Sequence, residues 1–170
     1  MTQPATPRPE PSAATTDSPP TMTIESGVDQ LAGVRAFVRT QVAAAGGDDE
    51  MTTDLVQAVD ELVCNVVEHG YAGRPGSIEV TFIETPGEIG FRIRDDAPPF
   101  DPTSVPEPPL DQPLSQRRLG GMGIHLARTL TDGFDHRILP TGGNEVTVRK
   151  RRRVTTGEAS DGHHDGPTEP

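Results

Sequence analysis

Cysteine and tryptophan are almost missing from this chain of 170 residues: Cys64 is the sole cysteine and there is no Trp. One thiol cannot close an intrachain disulfide or build a multi-cysteine metal site. A hydrophobic share of 32% without tryptophan implies a modest core with polar margins, enough for one domain and too little for a two-domain enzyme. Positive charge is also short, since 15 Lys and Arg against 26 Asp and Glu leave a formal net charge of -11. Nucleic acid and anionic lipid are both repelled by such a surface, so the expected partners are proteins or a metal-chelated nucleotide. No apolar run approaches membrane-spanning length. The stretch from Met1 to Pro20 has neither the basic start nor the apolar run of a signal peptide. Together these absences predict a cytoplasmic protein that binds no membrane.

What is present divides the chain into three parts. Residues 1–22, dominated by Pro, Thr, Ser and Ala, bury too little apolar surface to offset ordering entropy and predict an N-terminal tail. Residues 154–170 predict a C-terminal tail for the same reason, and the folded domain is expected over 23–153. Within it, Leu31, Val34, Val38, Val42 and Ala45 have helical spacing and Gly46-Gly47 supplies a stop. A second helix is expected from about Thr52 to His69, with Leu55, Val59, Leu62, Val63, Val66 and Val67 on one arc and Gly70 as its break. Ile78, Val80 and Phe82, then Ile89, Phe91 and Ile93, alternate with polar residues on either side of Pro86-Gly87, which predicts an antiparallel hairpin.

Pro98, Pro99, Pro102, Pro106, Pro108, Pro109 and Pro113 then interrupt regular structure, placing a long loop where a lid could sit. Gly120, Gly121 and Gly123 precede a third helix carrying Ile124, Ala127 and Leu130. Phe134 to Leu139 and Asn144 to Arg149 predict two further strands. This order favours an α+β fold, a two-layer sandwich with helices on one face of a mostly antiparallel sheet.

Three features point to chemistry. Glu61 and Asn65 lie four apart on the second helix, nearly above one another and away from the apolar arc. A carboxamide oxygen beside a carboxylate suits hydrated magnesium and an attacking hydroxyl, although the pair alone is also what a solvated helix face carries. Asp95 shares the parity of Ile89, Phe91 and Ile93, so an inward strand face turns its carboxylate inward too. A buried acid needs a donor such as the exocyclic amine of adenine; alternatively the strand ends one residue earlier and Asp95-Asp96 opens a turn. The glycines before the third helix let backbone approach an anion, phosphate being the natural guest, and equally serve as a helix-entry turn. There is no Walker loop, because Gly-Lys-Ser and Gly-Lys-Thr do not occur. The basic run Arg149 to Arg153 reads as a strand end with solvated charges, His163-His164 as inert tail, and Cys64 as a packing residue.

The order of these pieces resembles the GHKL (histidine-kinase-like) ATPases, in particular their branch of serine/threonine protein kinases acting as anti-sigma factors. Residues from Glu61 to Tyr71 look like that family's N box. Asp95 to Pro102 resembles its first glycine box, Gly120 to Leu126 its second, and Gly143-Asn144-Glu145-Val146 its closing strand motif. The resemblance covers about residues 30–150 and implies the Bergerat-type ATP-binding fold, with ATP and Mg2+ as cofactors. It implies that Asn65 ligates magnesium, that Glu61 is the general base, and that Asp95 reads adenine. It further implies that Gly120, Gly121 and Gly123 cradle phosphates, with Arg118 adding charge at the end of the lid.

Ala97 stands where the first glycine box usually has Gly. At a positive φ it would carry strain of about 1–2 kcal/mol, and at a negative φ none. The implied partners are an antagonist protein that receives phosphate and a sigma factor or similar regulator; homodimerisation is a further family expectation. The alternative function is a non-catalytic, nucleotide-responsive module that sequesters a regulatory partner.

Overall fold

The computed structural model of the chain describes residues 18–104 and 122–153. Arg118, Gly120 and Gly121 therefore lie outside the described residues, as do most of the proline-rich loop and nearly all of both tails.

The hydrophobic patterns place the helices as the sequence predicts, except that Gly123, expected in the turn before the third helix, lies within its first turn. In α1 (Leu31–Ala44), Val34, Val38 and Val42 recur every fourth residue and are fully buried. α2 (Asp49–Asn65) buries Leu55, Ala58, Val59, Leu62 and Val63 along one side. Its start lies three residues before the expected Thr52. The cause is Asp48, which accepts the Met51 N–H at 2.7 Å and so satisfies one of the free amides of the first turn. Past Asn65 the helix widens into a π-helical turn, Val66–Tyr71, and ends at Ala72 in the left-handed region.

Five strands form one sheet: β1 (Thr21–Glu25), β2 (Ser77–Glu84), β3 (Glu88–Asp95), β4 (Gly133–Ile138) and β5 (Asn144–Arg151). Their spatial order is β1-β2-β3-β5-β4 and every pairing is antiparallel. β1 was not expected, because Thr21 and Met22 fell within the anticipated tail. It is an edge strand in which Ile24 alone is fully packed, too little alternation to show in the sequence.

The inward parity of β2, β3 and β5 supplies Ile78, Val80, Phe82, Ile89, Phe91, Ile93, Val146 and Val148 to the core, facing α1 and α2. Phe91 is its centre, with Phe37 edge-on at 6.2 Å and Phe82 tilted at 5.5 Å. Burying each such side chain stabilises the fold by roughly 1.5–3 kcal/mol. α3 (Met122–Leu130) packs on α2 through Ile124 and Ala127. The result is the expected α+β sandwich, helices on one face of an antiparallel sheet. Among the described residues no helix is long and apolar enough to cross a membrane.

Candidate functional site

The end of α2, its π-helical turn and the far end of the β3–β5 ladder converge on a cavity of about 250 Å³. Leu62, Val66, Ile93 and Val146 give it apolar sides, and Asn65, Asp95 and Ala97 also line it. Two residues of unlike chemistry, thirty positions apart in sequence, thus share one hollow: a carboxamide from a helix and a carboxylate from a strand.

Asp95 belongs to β3, not to a following turn, and is buried as its parity predicts. Its Oδ1 accepts the Ala97 N–H at 3.1 Å and the Asn144 Nδ2–H at 2.9 Å. No described residue donates to Oδ2. Burial pushes the carboxyl up from its ordinary value, while the Asn144 amide and the Ala97 N–H pull it partway back. A desolvated carboxylate oxygen with spare acceptor capacity, set between apolar walls, suits a planar heterocycle bearing an amine.

Asn144 was quoted in the sequence only as part of a motif, and its part here went unread. Strand register puts it directly opposite Asp95. Besides holding Asp95, it accepts the Phe100 N–H at 2.8 Å and donates to the Pro98 carbonyl at 3.3 Å, so one side chain ties the acid to the start of the loop. Gly143 makes this approach possible. It sits at φ +87°, and a Cβ there would lie 2.2 Å from the Asp95 carbonyl oxygen.

Ala97 carries none of the strain considered for it, because Ala72 is the non-glycine residue of positive φ among those described. Its methyl is buried against Gly70, where an added Cβ would stand 3.0 Å from that of Ala97. The missing side chain at Gly70 thus makes room for the extra one at Ala97.

Tyr71 also escaped the sequence reading. Its hydroxyl contacts the Ser77 carbonyl at 2.6 Å and the Asp96 carboxylate, and accepts the Asp96 N–H at 3.2 Å. Burial and the Asp96 carboxylate push the phenol well above its ordinary value, and the same bond holds Asp96 below the usual carboxylate range. The phenol therefore stays protonated and pins the backbone next to Asp95. Gly76 leaves room for its ring, since a Cβ there would overlap Tyr71.

Glu61 lies one helical turn before Asn65 and does not line the cavity. It faces α3 instead, with its Oε2 2.3 Å from where a Cβ of Gly123 would be. The structure therefore groups Asn65, Asp95 and Ala97, and pairs Glu61 with Gly123 beside them. Cys64 is pushed up to about 11 by burial, a hydrogen bond to Glu68 and the charges of Glu68, Glu61 and Asp60, which leaves it a poor nucleophile.

Comparison with known proteins places the chain in a family and shows its fold elsewhere. Residues 24–150 match the family described as "Histidine kinase-like ATPase domain". The serine/threonine-protein kinase BtrW of Bordetella bronchiseptica is 32% identical over 94 residues, covering 50% of this chain and 66% of that protein. The match thus spans just under two thirds of that relative's length. The anti-sigma F factor of a Thermoanaerobacter species is 26% identical over 119 residues, 68% of this chain and 83% of that one. A crystal structure of the RsbU and RsbW domains of a Mycobacterium tuberculosis protein shares the fold, with a TM-score of 0.51 at 23% identity. That likeness covers 78% of this chain and 32% of the solved one.

Proposed function

The chain belongs to the histidine kinase-like ATPase domain family, and from that membership we propose that it is an anti-sigma type serine/threonine protein kinase. In this reading it binds Mg-ATP, transfers the terminal phosphoryl group to a small antagonist protein, and holds a sigma factor or similar regulator when that antagonist is absent. The names of its relatives, a serine/threonine-protein kinase and an anti-sigma F factor, support the assignment. The observation that carries it is the presence of Asn65 and Asp95 on one apolar-walled cavity.

The residues fit the ligand. Asp95 accepts from the adenine amine through its unengaged oxygen, and Leu62, Val66, Ile93 and Val146 flank the ring. Asn65 would hold magnesium, which when bound neutralises phosphate charge; Arg118, Gly120, Gly121 and Gly123 would steady the phosphates. Glu61 takes the proton of the acceptor hydroxyl as its oxygen bonds to the terminal phosphorus and the bond to ADP breaks. Phosphoryl transfer needs mainly positioning and charge neutralisation, so this small set suffices.

A second reading, a nucleotide-responsive module that sequesters its partner without transfer, is favoured by Glu61 lying off the cavity wall. Incubation with Mg-ATP and candidate antagonist proteins, followed by mass spectrometry, separates the two. A phosphate mass shift on one antagonist, lost in Glu61→Gln while nucleotide still binds, supports the kinase. Stable partner capture with no shift on any of them supports the module.

A further inference from the structure

The sheet face turned away from the helices carries its side chains in rows fixed by strand register. One row, Glu79, Arg94, Glu145 and Arg137, alternates in sign across β2, β3, β5 and β4. Glu145 is held there between two guanidiniums, at 2.5 Å from Arg94 and 2.6 Å from Arg137. The next row reads Thr81, Arg92, Thr147 and Asp135. Arg92 therefore has a threonine on each side, and the row's acid, two strands away, is taken by Arg149. The row after that reads Ile83, Gly90, Arg149 and Gly133, so Arg149 has no side chain beside it on either neighbouring strand.

A hollow of about 370 Å³ opens on this face, lined by Arg92, Arg137, Arg149, Asp135, Glu145 and His136 among others. It shares no lining residue with the cavity at Asp95. Its charges do not balance, because three guanidiniums face two carboxylates and one positive charge is left over. The surplus sits on Arg92, whose buried Nε has no hydrogen-bond partner and which forms no ion pair among the described residues. A buried donor atom without an acceptor is costly, and the planar fork of this half-buried side chain matches a carboxylate in two-point contact.

We propose that this hollow is a docking site for one acidic side chain of a protein partner. A single carboxylate cancels the surplus charge, whereas a phosphate dianion would overshoot it while facing Asp135 and Glu145. Ile83, which also lines the hollow, offers an apolar surface to the methylenes of a glutamate. The site stands apart from the nucleotide reading and does not depend on it.

The test is an NMR titration of the full chain with a capped tetraglutamate peptide, a capped tetraglutamine peptide and inorganic phosphate. Tetraglutamate is expected to shift the Arg92 Nε–H and the Gly90 and Thr147 amides saturably, and tetraglutamine to leave them in place. Arg92→Gln should weaken tetraglutamate binding about tenfold without altering the rest of the spectrum. Asn65→Ala should leave it unchanged, which separates this site from the nucleotide cavity. Equal affinity in Arg92→Gln, saturable shifts confined to other residues, or tighter binding of phosphate than of the peptide would overturn the proposal. So would shifts that grow with chain concentration alone, since a second copy would then be the occupant.

Discussion

At Asp95, binding and stability pull in opposite directions. Its carboxyl lies above the ordinary 3.8, chiefly because burial penalises the charged form. The proton is then held more tightly in the folded chain than in the unfolded one. The folded state is thus favoured most below the unfolded value and loses that advantage as pH rises through it toward the raised folded value. Asp95→Asn removes the penalty while keeping an oxygen for Asn144 and Ala97. Its melting temperature at pH 7 should exceed that of the parent, with the gain fading toward pH 3 in a calorimetric series. Adenine nucleotide affinity should fall by about 1–3 kcal/mol, roughly tenfold to a hundredfold, by titration calorimetry. A variant as tight as the parent would place adenine elsewhere. The paired methyl and notch at Ala97 and Gly70 give a second prediction. Ala97→Gly should destabilise by about 1–2 kcal/mol, through loss of a buried methyl and added chain entropy. Gly70→Ala should cost about 1–3 kcal/mol by crowding, and the double variant should recover most of that loss in urea melts.

Elements became legible wherever a periodic stripe was long enough. The valines of α1, the broad arc of α2 and the alternation of β2 and β3 each repeat often enough to fix both the element and its buried face, and with them Asp95. β1 has too few packed positions to stand out, and the widening of α2 over Val66–Tyr71 changes no residue type. Asn144 and Tyr71 were hidden for another reason. What they do depends on which residues register and a π-helical turn bring opposite them, and those partners lie 49 and 25 positions away. The basic run read differently in part. Arg149, Lys150, Arg151, Arg152 and Arg153 each pair with a carboxylate, namely Asp135, Asp54, Glu88, Glu84 and Glu50; Arg151 and Arg153 stay solvated at the strand end as expected, whereas Lys150 and Arg152 are largely covered. At this scale Tyr71 is the residue to change, because its hydroxyl joins the end of the helix to Ser77 and Asp96, just past the last rung of the β2–β3 ladder. Tyr71→Phe should lower unfolding free energy by about 1–2 kcal/mol and weaken nucleotide binding, since the backbone beside Asp95 loses its anchor. An intact nucleotide affinity would show that Asn144 and the Ala97 N–H hold Asp95 without the Tyr71 anchor.

For the whole molecule, the cavity lies between the helical layer and one end of the sheet, so a ligand seated there bridges the two layers and binds the folded chain alone. Mass action then links occupancy to stability: at one hundred times the dissociation constant, such a ligand adds about 2.7 kcal/mol. For a folded part of this size that corresponds to a rise in melting temperature of roughly 10 °C. The proposed site predicts a rise in two separable parts, one from adenine at Asp95 and one from metal at Asn65. With ATP and magnesium the parent chain should melt well above the same sample containing EDTA. In Asn65→Ala the two samples should coincide, both keeping the smaller rise due to adenine. In Asp95→Asn a difference between magnesium and EDTA should survive while the adenine part shrinks. If Asn65→Ala retains the full magnesium-dependent rise, the metal is bound without its carboxamide, and the pairing of helix and strand around one triphosphate fails.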